Sequence, residues 1–294
     1  MEEGNVAILI DENTHILVQG ITGTVGSFQT RIMKEYGSNI VAGVTPGKGG
    51  QAVEGIPVYN LVVEAVRKHK IDAAISFVPA PFAKNAAFEV LAAGIPFLVL
   101  TTEGIPENDI IDIVRFAELT GNRVLGPDTP GLISPGKSKL GVHPQQMLKE
   151  GAVGIVSKSG SLSYEVGRVL TDAGIGQTSV VGIGGGPVWG TTHEDVLSEF
   201  EKDPETKAVV LLGEVGGKLE HHAARFIRSH MTKPVVAMIV GRSAPEGAQM
   251  GHAGAIVEGE EGTADSKIKA LKAAGAYTAT TSHEIVKILQ QIGV

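Results

Sequence analysis

The residue best suited to chemistry in this chain is a histidine between glycines. His252 stands in Met250-Gly251-His252-Ala253-Gly254-Ala255-Ile256, within the glycine-rich stretch from Gly241 to Gly262. Neutral imidazole is a competent nucleophile near pH 7, and glycine neighbours leave it accessible; a merely solvated loop histidine is the plain alternative. Glu214, in Gly213-Glu214-Val215-Gly216-Gly217, closes a predicted strand. A carboxylate there could accept one ring N–H, fix the tautomer and stabilise a charged ring, or it could be an ordinary exposed strand-end carboxylate.

Two further strand ends offer anion chemistry. Ser157-Lys158-Ser159-Gly160-Ser161 runs from a strand into a helix, so hydroxyls, free backbone N–H groups and the helix dipole converge at Ser159 and Gly160. The lysine spacing of an ordinary NTP loop is missing, and a simple serine cap would look the same. Gly20-Ile21-Thr22-Gly23-Thr24-Val25-Gly26 also joins a strand to a helix, with GxxGxxG rather than GxGxxG spacing. It reads as a nucleotide-type site or a tight turn. An NAD site would carry Asp or Glu about 20 residues further on. This chain has Thr45-Pro46-Gly47-Lys48-Gly49-Gly50 instead. Lys48 suits a phosphorylated ribose, as in NADP or the 3′-phosphate of coenzyme A, unless it is only a solvated loop lysine. His221 and His222 read as surface residues of a polar helix, and without an HExxH spacing no protein-held metal cluster is predicted.

Short β-branched runs alternate with helical stretches and must position these groups. Strands are predicted at 15–19, 40–44, 73–78, 96–100 and 123–125, with helices near 24–36, 59–70, 81–93 and 106–120. The proline-bearing stretch that follows reads as a connector. Strands then recur at 153–157, 179–183, 208–212 and 235–240, with helices near 160–173, 192–202, 218–231, 264–274 and 282–292. Single helices between strands imply right-handed crossovers, hence two doubly wound parallel-sheet α/β domains. Such sheets bind ligands beyond the carboxyl ends of their strands.

Composition narrows the chemistry. No cysteine occurs among the 294 residues, which removes disulfides, thiolate nucleophiles and Cys-held metal. The net charge of −7, without a basic stripe, argues against nucleic acid. No apolar run approaches the roughly 20 residues of a membrane span, and the start lacks a basic leader. A soluble cytoplasmic protein is expected, or one of the mitochondrial matrix only as a processed form.

Taken together and in order, GITGTVGSF, GVTPGKGG, FVPAPF, TTEGIP, SKSGSLSYE, VGIGGGP, FEKDPETKAVVLLGEVGG and SAPEGAQMGHAGAI resemble the α subunits of succinyl-CoA synthetase, in the ADP- or GDP-forming acyl-CoA synthetase family. The resemblance implies a Rossmann-like CoA-binding domain over 1–126, a connector over 127–150 and a flavodoxin-like ligase domain over 151–294. It implies that His252 is phosphorylated, with Glu214 as its partner and Ser159 and Gly160 holding the phosphoryl group. Thr22, Gly23, Thr24 and Val25 would line the coenzyme A site, with Lys48 at its phosphorylated end and Thr101, Thr102 and Glu103 as further contacts. Tyr164 matches the acid-binding region. A separate β subunit with an ATP-grasp site would supply ATP or GTP with Mg2+, in a heterodimer or heterotetramer.

This sequence departs from the family pattern at several points. GPDTPG replaces GPNCPG, GGGP followed by Val188 and Trp189 replaces GGDP, Lys158 replaces an arginine, and Gln249 replaces a basic residue. Gly186 and Trp189 bear on the acid, so malate or citrate are alternatives to succinate. A nicotinamide (NADP-type) oxidoreductase and a non-catalytic CoA-binding protein are the readings from other classes. The missing acidic residue after the second strand counts against the first of these, and the presence of both His252 and Glu214 against the second.

Overall fold

β-branched runs bounded by glycine turns form two seven-stranded sheets in a computed structural model that describes residues 7–294. The first half comprises β1 (Ile16–Gln19), α1 (Thr24–Tyr36), β2 (Ile40–Val44), β3 (Ala52–Val53), β4 (Ile56–Tyr59), α2 (Val62–Val66), β5 (Ala73–Ser76), α3 (Ala80–Ala92), β6 (Phe97–Leu100), α4 (Glu107–Thr120) and β7 (Arg123–Leu125). Its strands lie in the order β3-β4-β2-β1-β5-β6-β7. Only β3, two residues long, is antiparallel to its neighbour. Numbered among themselves, the parallel strands run 3-2-1-4-5-6, the Rossmann order.

The second half comprises β8 (Gly131–Ser134), β9 (Ser138–Gly141), β10 (Glu150–Ser157), α5 (Gly160–Asp172), β11 (Gln177–Gly182), α6 (His193–Lys202), β12 (Ala208–Glu214), α7 (Leu219–His230), β13 (Val235–Val240), α8 (Ala264–Ala273), β14 (Tyr277–Ala279) and α9 (Ser282–Gln291). The order is β14-β13-β12-β10-β11-β8-β9. The five parallel strands run 2-1-3-4-5, the flavodoxin-like order. Strands β1, β5, β6, β11 and β12 are buried at every position, as expected where helices cover both faces of a parallel sheet.

The stretch expected as a connector over 127–150 is corrected in part. β8 and β9 form a hairpin, and β8 pairs antiparallel with β11, so this segment extends the second sheet. Pro130 and Pro135 flank β8 rather than interrupt its ladder, which is where proline is tolerated. The single helix expected over 59–70 is also replaced. Tyr59 pairs with Val44 at the end of β4, and only residues 62–66 are helical.

Hydrogen bonds and an ion pair tie the two halves together. The Ser38 hydroxyl donates to the Lys139 carbonyl (2.7 Å) and accepts the Lys139 N–H (2.9 Å). Thr191 donates its hydroxyl to the Val124 carbonyl at 2.6 Å, and Arg123 pairs with Glu199 at 3.1 Å. Among the described residues, no helix is long and apolar enough to cross a membrane.

Candidate active site

The order of the second sheet reverses between β10 and β12, which opens a crevice beyond their carboxyl ends. Glu214 is the last residue of β12, and its Oε2 lies 2.7 Å from His252 Nδ1. The carboxylate is buried, 7% exposed, while the imidazole keeps 28% exposure. On its other side the ring lies against Gly185, just after β11: a Cβ there would stand 2.5 Å from His252 Cγ. β10 lies between β11 and β12 in the sheet, and just past its end Ser159 caps α5 by accepting the Leu162 N–H at 3.4 Å. The histidine loop is self-braced, with Ala255 N–H donating to the His252 carbonyl (3.1 Å), Met250 N–H to the Ala255 carbonyl (2.9 Å) and Gly254 N–H to the Gly185 carbonyl (3.1 Å).

An ionised Glu214 accepts only, so Nδ1 carries the hydrogen and Nε2 keeps its lone pair. The hydrogen bond to Glu214 raises the affinity of His252 for a proton above the ordinary histidine value. Burial opposes this, the charges of Glu214 and Asp128 reinforce it, and Lys158 works against it. Burial chiefly, with Glu103 and Glu214 repelling its charge, pushes the Asp128 carboxyl upward. The Asp128 N–H donates to the Thr102 carbonyl at 3.1 Å, linking this crevice to the first domain.

Beneath Glu214 lies a buried charge cluster that no sequence motif marks. Lys158, 1% exposed, places Nζ 3.1 Å from Glu214 Oε1 and 4.0 Å from Glu220 Oε1. Lys267 donates to the Glu214 carbonyl (2.7 Å), the Gly216 carbonyl (2.5 Å) and Glu220 Oε2 (2.5 Å). Glu220 Oε1 accepts the Glu214 N–H at 3.2 Å. His193 packs in the same interior, and burial pushes its pKa down to about 4. A signal was present in the sequence. Glu220 shares one helical face with Ala223, Ala224 and Ile227, and Lys267 shares one with Ala264, Ile268 and Leu271. Opposite charges on two apolar helix faces predict a buried pair.

The first sheet reverses order between β1 and β5, and a cavity of about 850 Å³ opens there. Thr22, Gly23, Thr24 and Val25 line it, facing Phe77 and Phe82. No side chain caps α1 at Gly23, so the first-turn N–H groups remain available to an anion. The turn is tight enough to require glycine at Gly26, where a Cβ would fall 2.1 Å from the Gly20 carbonyl oxygen.

The other expected contacts are not among the residues lining this cavity. Lys48 is exposed in its loop. The hydroxyls of Thr101 and Thr102 donate to the Ser76 and Val78 carbonyls, each at 2.7 Å, which leaves them only acceptor capacity. Glu103 is exposed. Tyr164, half-buried, stacks edge-on against the fully buried His143 at 5.3 Å between ring centres and lies close to Gly160. His222 is exposed, and His221 is half-buried with its ring against the Glu261 carbonyl at 3.1 Å.

Comparison with known proteins gives the family. Residues 11–104 match the CoA binding domain family and residues 156–277 the CoA-ligase family. Fold and site therefore define a two-domain chain of the CoA-ligase class. It is 54% identical over 288 residues to succinate–CoA ligase (ADP-forming) subunit alpha 1 of Archaeoglobus fulgidus, spanning 98% of this chain and 99% of that one. It is 49% identical over 293 residues to the corresponding alpha subunit of Aquifex aeolicus, spanning 98% and 96%. The chain belongs to the succinate–CoA ligase alpha-subunit family. Among solved structures it resembles ATP citrate lyase from Methanothrix soehngenii in complex with citrate and coenzyme A (TM-score 0.86, 25% identity), spanning 97% of this chain and 52% of that one.

Proposed function

We propose that this chain interconverts succinate, coenzyme A and a nucleoside triphosphate with succinyl-CoA, the diphosphate and phosphate, through a phosphoryl group carried on His252. The observation that carries this reading is the 2.7 Å contact between His252 Nδ1 and buried Glu214, at a strand-order reversal. With Nδ1–H engaged, Nε2 attacks the γ-phosphorus, the P–N bond forms and the diphosphate leaves. Ser159, Gly160 and the α5 dipole offset the charge of the bound phosphoryl group. A carboxylate oxygen of the acid then attacks phosphorus and the P–N bond breaks, its electron pair returning to Nε2. The sulfur of coenzyme A, seated with its phosphates over Thr22, Gly23, Thr24 and Val25 and with Lys48 near the 3′-phosphate, attacks the acyl carbon and phosphate leaves. Thr101, Thr102 and Glu103 would complete that site, and Tyr164 would border the acid.

The nucleotide, with its Mg2+, is assigned to an ATP-grasp β subunit in a heterodimer or heterotetramer. The names of the alpha-subunit relatives support such a partner, and their ADP-forming designation favours ATP over GTP. A second reading, malate or citrate in place of succinate, draws on Gly186, Trp189 and the likeness to ATP citrate lyase. A nicotinamide oxidoreductase or a simple CoA binder has no use for the His252–Glu214 pair.

The test is incubation of the assembled complex with γ-labelled ATP or GTP. Alkali-stable, acid-labile label that disappears in His252→Ala supports the reading, and label that persists in that variant overturns it. Succinate, malate and citrate supplied with coenzyme A then separate the two acid assignments.

A further inference from the structure

Lys158 is a buried charge that the folded chain does not need for hydrogen bonding. It follows β10 directly, at the strand-order reversal, and is 1% exposed. Its Nζ lies 3.1 Å from Glu214 Oε1, 4.0 Å from Glu220 Oε1 and 5.0 Å from the centre of the Trp189 ring. Despite these distances, neither Lys158 Nζ nor Glu214 Oε1 makes an aligned hydrogen bond; the contact is one of charge alone. Lys267 is the opposite case, with three acceptors around a buried ammonium. Burying an ammonium is costly unless hydrogen bonds and opposite charge compensate it, and an apolar side chain of similar length would fill this space without that cost. The charge of Lys158 points instead at the carboxylate that holds His252.

The groups facing this cluster come from every element around it. Glu214 ends β12, Glu220 lies on α7, Lys267 on α8, His193 on α6, Asp128 precedes β8, and Glu103 lies beyond Asp128 in the first domain. Removing Lys158 leaves the carboxylates of Glu214, Glu220 and Asp128 with Lys267 as the buried cation, since burial keeps His193 neutral near pH 7. Glu214 Oε1 accepts no hydrogen bond, and the Lys158 ammonium stands 3.1 Å from it.

We infer that Lys158 is a positioning residue of the phosphocarrier: its ammonium fixes the Glu214 carboxylate by Oε1, so that Oε2 holds the Nδ1–H, and its charge opposes a proton on Nε2, where the phosphoryl group bonds. This rests on the reading of His252 as the carrier. Loss of the cation strengthens proton binding at His252 and leaves Glu214 Oε1 unheld, so that the carboxylate turns and releases Nδ1.

The test treats the full chain with potassium phosphoramidate, a phosphodonor that needs neither partner nor nucleotide. Its P–N bond breaks, ammonia leaves and the imidazole takes the phosphoryl group. The rate at His252 is followed against pH by peptide mass mapping, and the isomer is identified by 31P NMR. The unmodified chain is expected to give only the Nε2 isomer. In Lys158→Met and Lys158→Gln the rate midpoint moves up by about one pH unit, labelling near neutral pH falls roughly tenfold, and the Nδ1 isomer appears. Lys158→Arg restores both the midpoint and the single isomer.

Curves for folded Lys158→Met and Lys158→Gln that superimpose on the unmodified chain overturn the inference. So does a downward shift, or a Lys158→Arg curve that follows Lys158→Met. If both neutral variants unfold while Lys158→Arg folds, the charge serves the fold and the inference is equally overturned. Failure of the carrier reading looks different: His252 labels with phosphoramidate, with its Lys158 dependence intact, but not with nucleotide in the assembled complex.

Discussion

Adding one methyl group at Gly185 displaces the imidazole without touching any charged group. A Cβ at this position falls 2.5, 2.6 and 2.8 Å from His252 Cγ, Cδ2 and Nδ1. Carbon atoms settle at about 3.5–4.0 Å, so the ring must retreat by about 1 Å. The backbone of Gly185 is not left-handed, and alanine adopts it without strain. The loop cannot withdraw as a body, because Gly254 N–H is bound to the carbonyl of Gly185 itself at 3.1 Å. The 2.7 Å contact with Glu214 is therefore lost. A hydrogen bond to a charged group contributes about 1.5–3 kcal/mol, equivalent to roughly 10- to 150-fold in rate. Misplacing a reacting group by about 1 Å costs on the order of 100-fold by itself. Gly185→Ala should thus slow phosphorylation of His252 by about 100-fold, measured by rapid quench of the assembled complex with labelled nucleotide and no acid or coenzyme A. Gly186→Ala is the matched comparison. Its Cβ meets only the Val188 carbonyl oxygen, at an ordinary 3.6 Å, and in this acid-independent step it should stay within about threefold of the parent. Equal rates for the two variants, or a Gly185→Ala rate within about threefold of the parent, refute the argument.

Three more outcomes follow from the same geometry. Glu214→Gln should lower the pKa of His252, followed by NMR, and slow its phosphorylation by about 100-fold. Because Glu214 raises the His252 pKa, the stability from this pair is full below the unfolded value of about 6.5 and fades as pH rises through the raised folded value, so the variant's melting deficit should be larger at pH 5.5 than at pH 9. His143 is fully buried and its pKa is pushed down to about 3 by burial. Its contribution is present above about 6.5 and is lost as pH falls toward the folded value, so His143→Phe, which keeps the Tyr164 contact, should lose less stability between pH 7 and pH 4 than the parent in urea melts. Lys48→Ala should weaken coenzyme A by about threefold, as for an exposed charge pair, and leave 3′-dephospho-coenzyme A unchanged in calorimetry.

Most of the framework was legible because parallel strands announce themselves. Runs such as Val235–Val240 and Ala208–Leu212 are apolar at every position, and the helices between them begin at recognisable caps such as Thr192 and Thr263. The hairpin of β8 and β9 was hidden for the converse reason. Each strand has four residues, and glycine, serine and lysine occupy half or more of β9 although all of it is buried. Its burial comes from α1 and β11, a long-range effect that local composition does not carry. The short β4 was lost in the same way, since its pairing partner Val44 lies in another part of the chain.

The site separates along a similar line. His252 and Glu214 are legible in the sequence because glycines flank both, leaving the ring accessible and ending the strand, and the structure adds that a Cβ at Gly185, Gly216 or Gly254 would meet the ring or a facing backbone. The charges beneath them carry no such mark. Lys158 sits next to the serines of an anion-type loop and reads as one more loop cation. Only the sheet order, which puts β10 between β11 and β12, turns its side chain into a dry contact with Glu214 and Trp189. Lys267 and Glu220 could have been paired from their places on apolar helix faces, but helical spacing does not say that α7 and α8 bring those faces together under the end of β12. A nucleophile's immediate partner can thus be guessed from a motif, whereas the charges that set its protonation depend on which strand ends the topology makes neighbours.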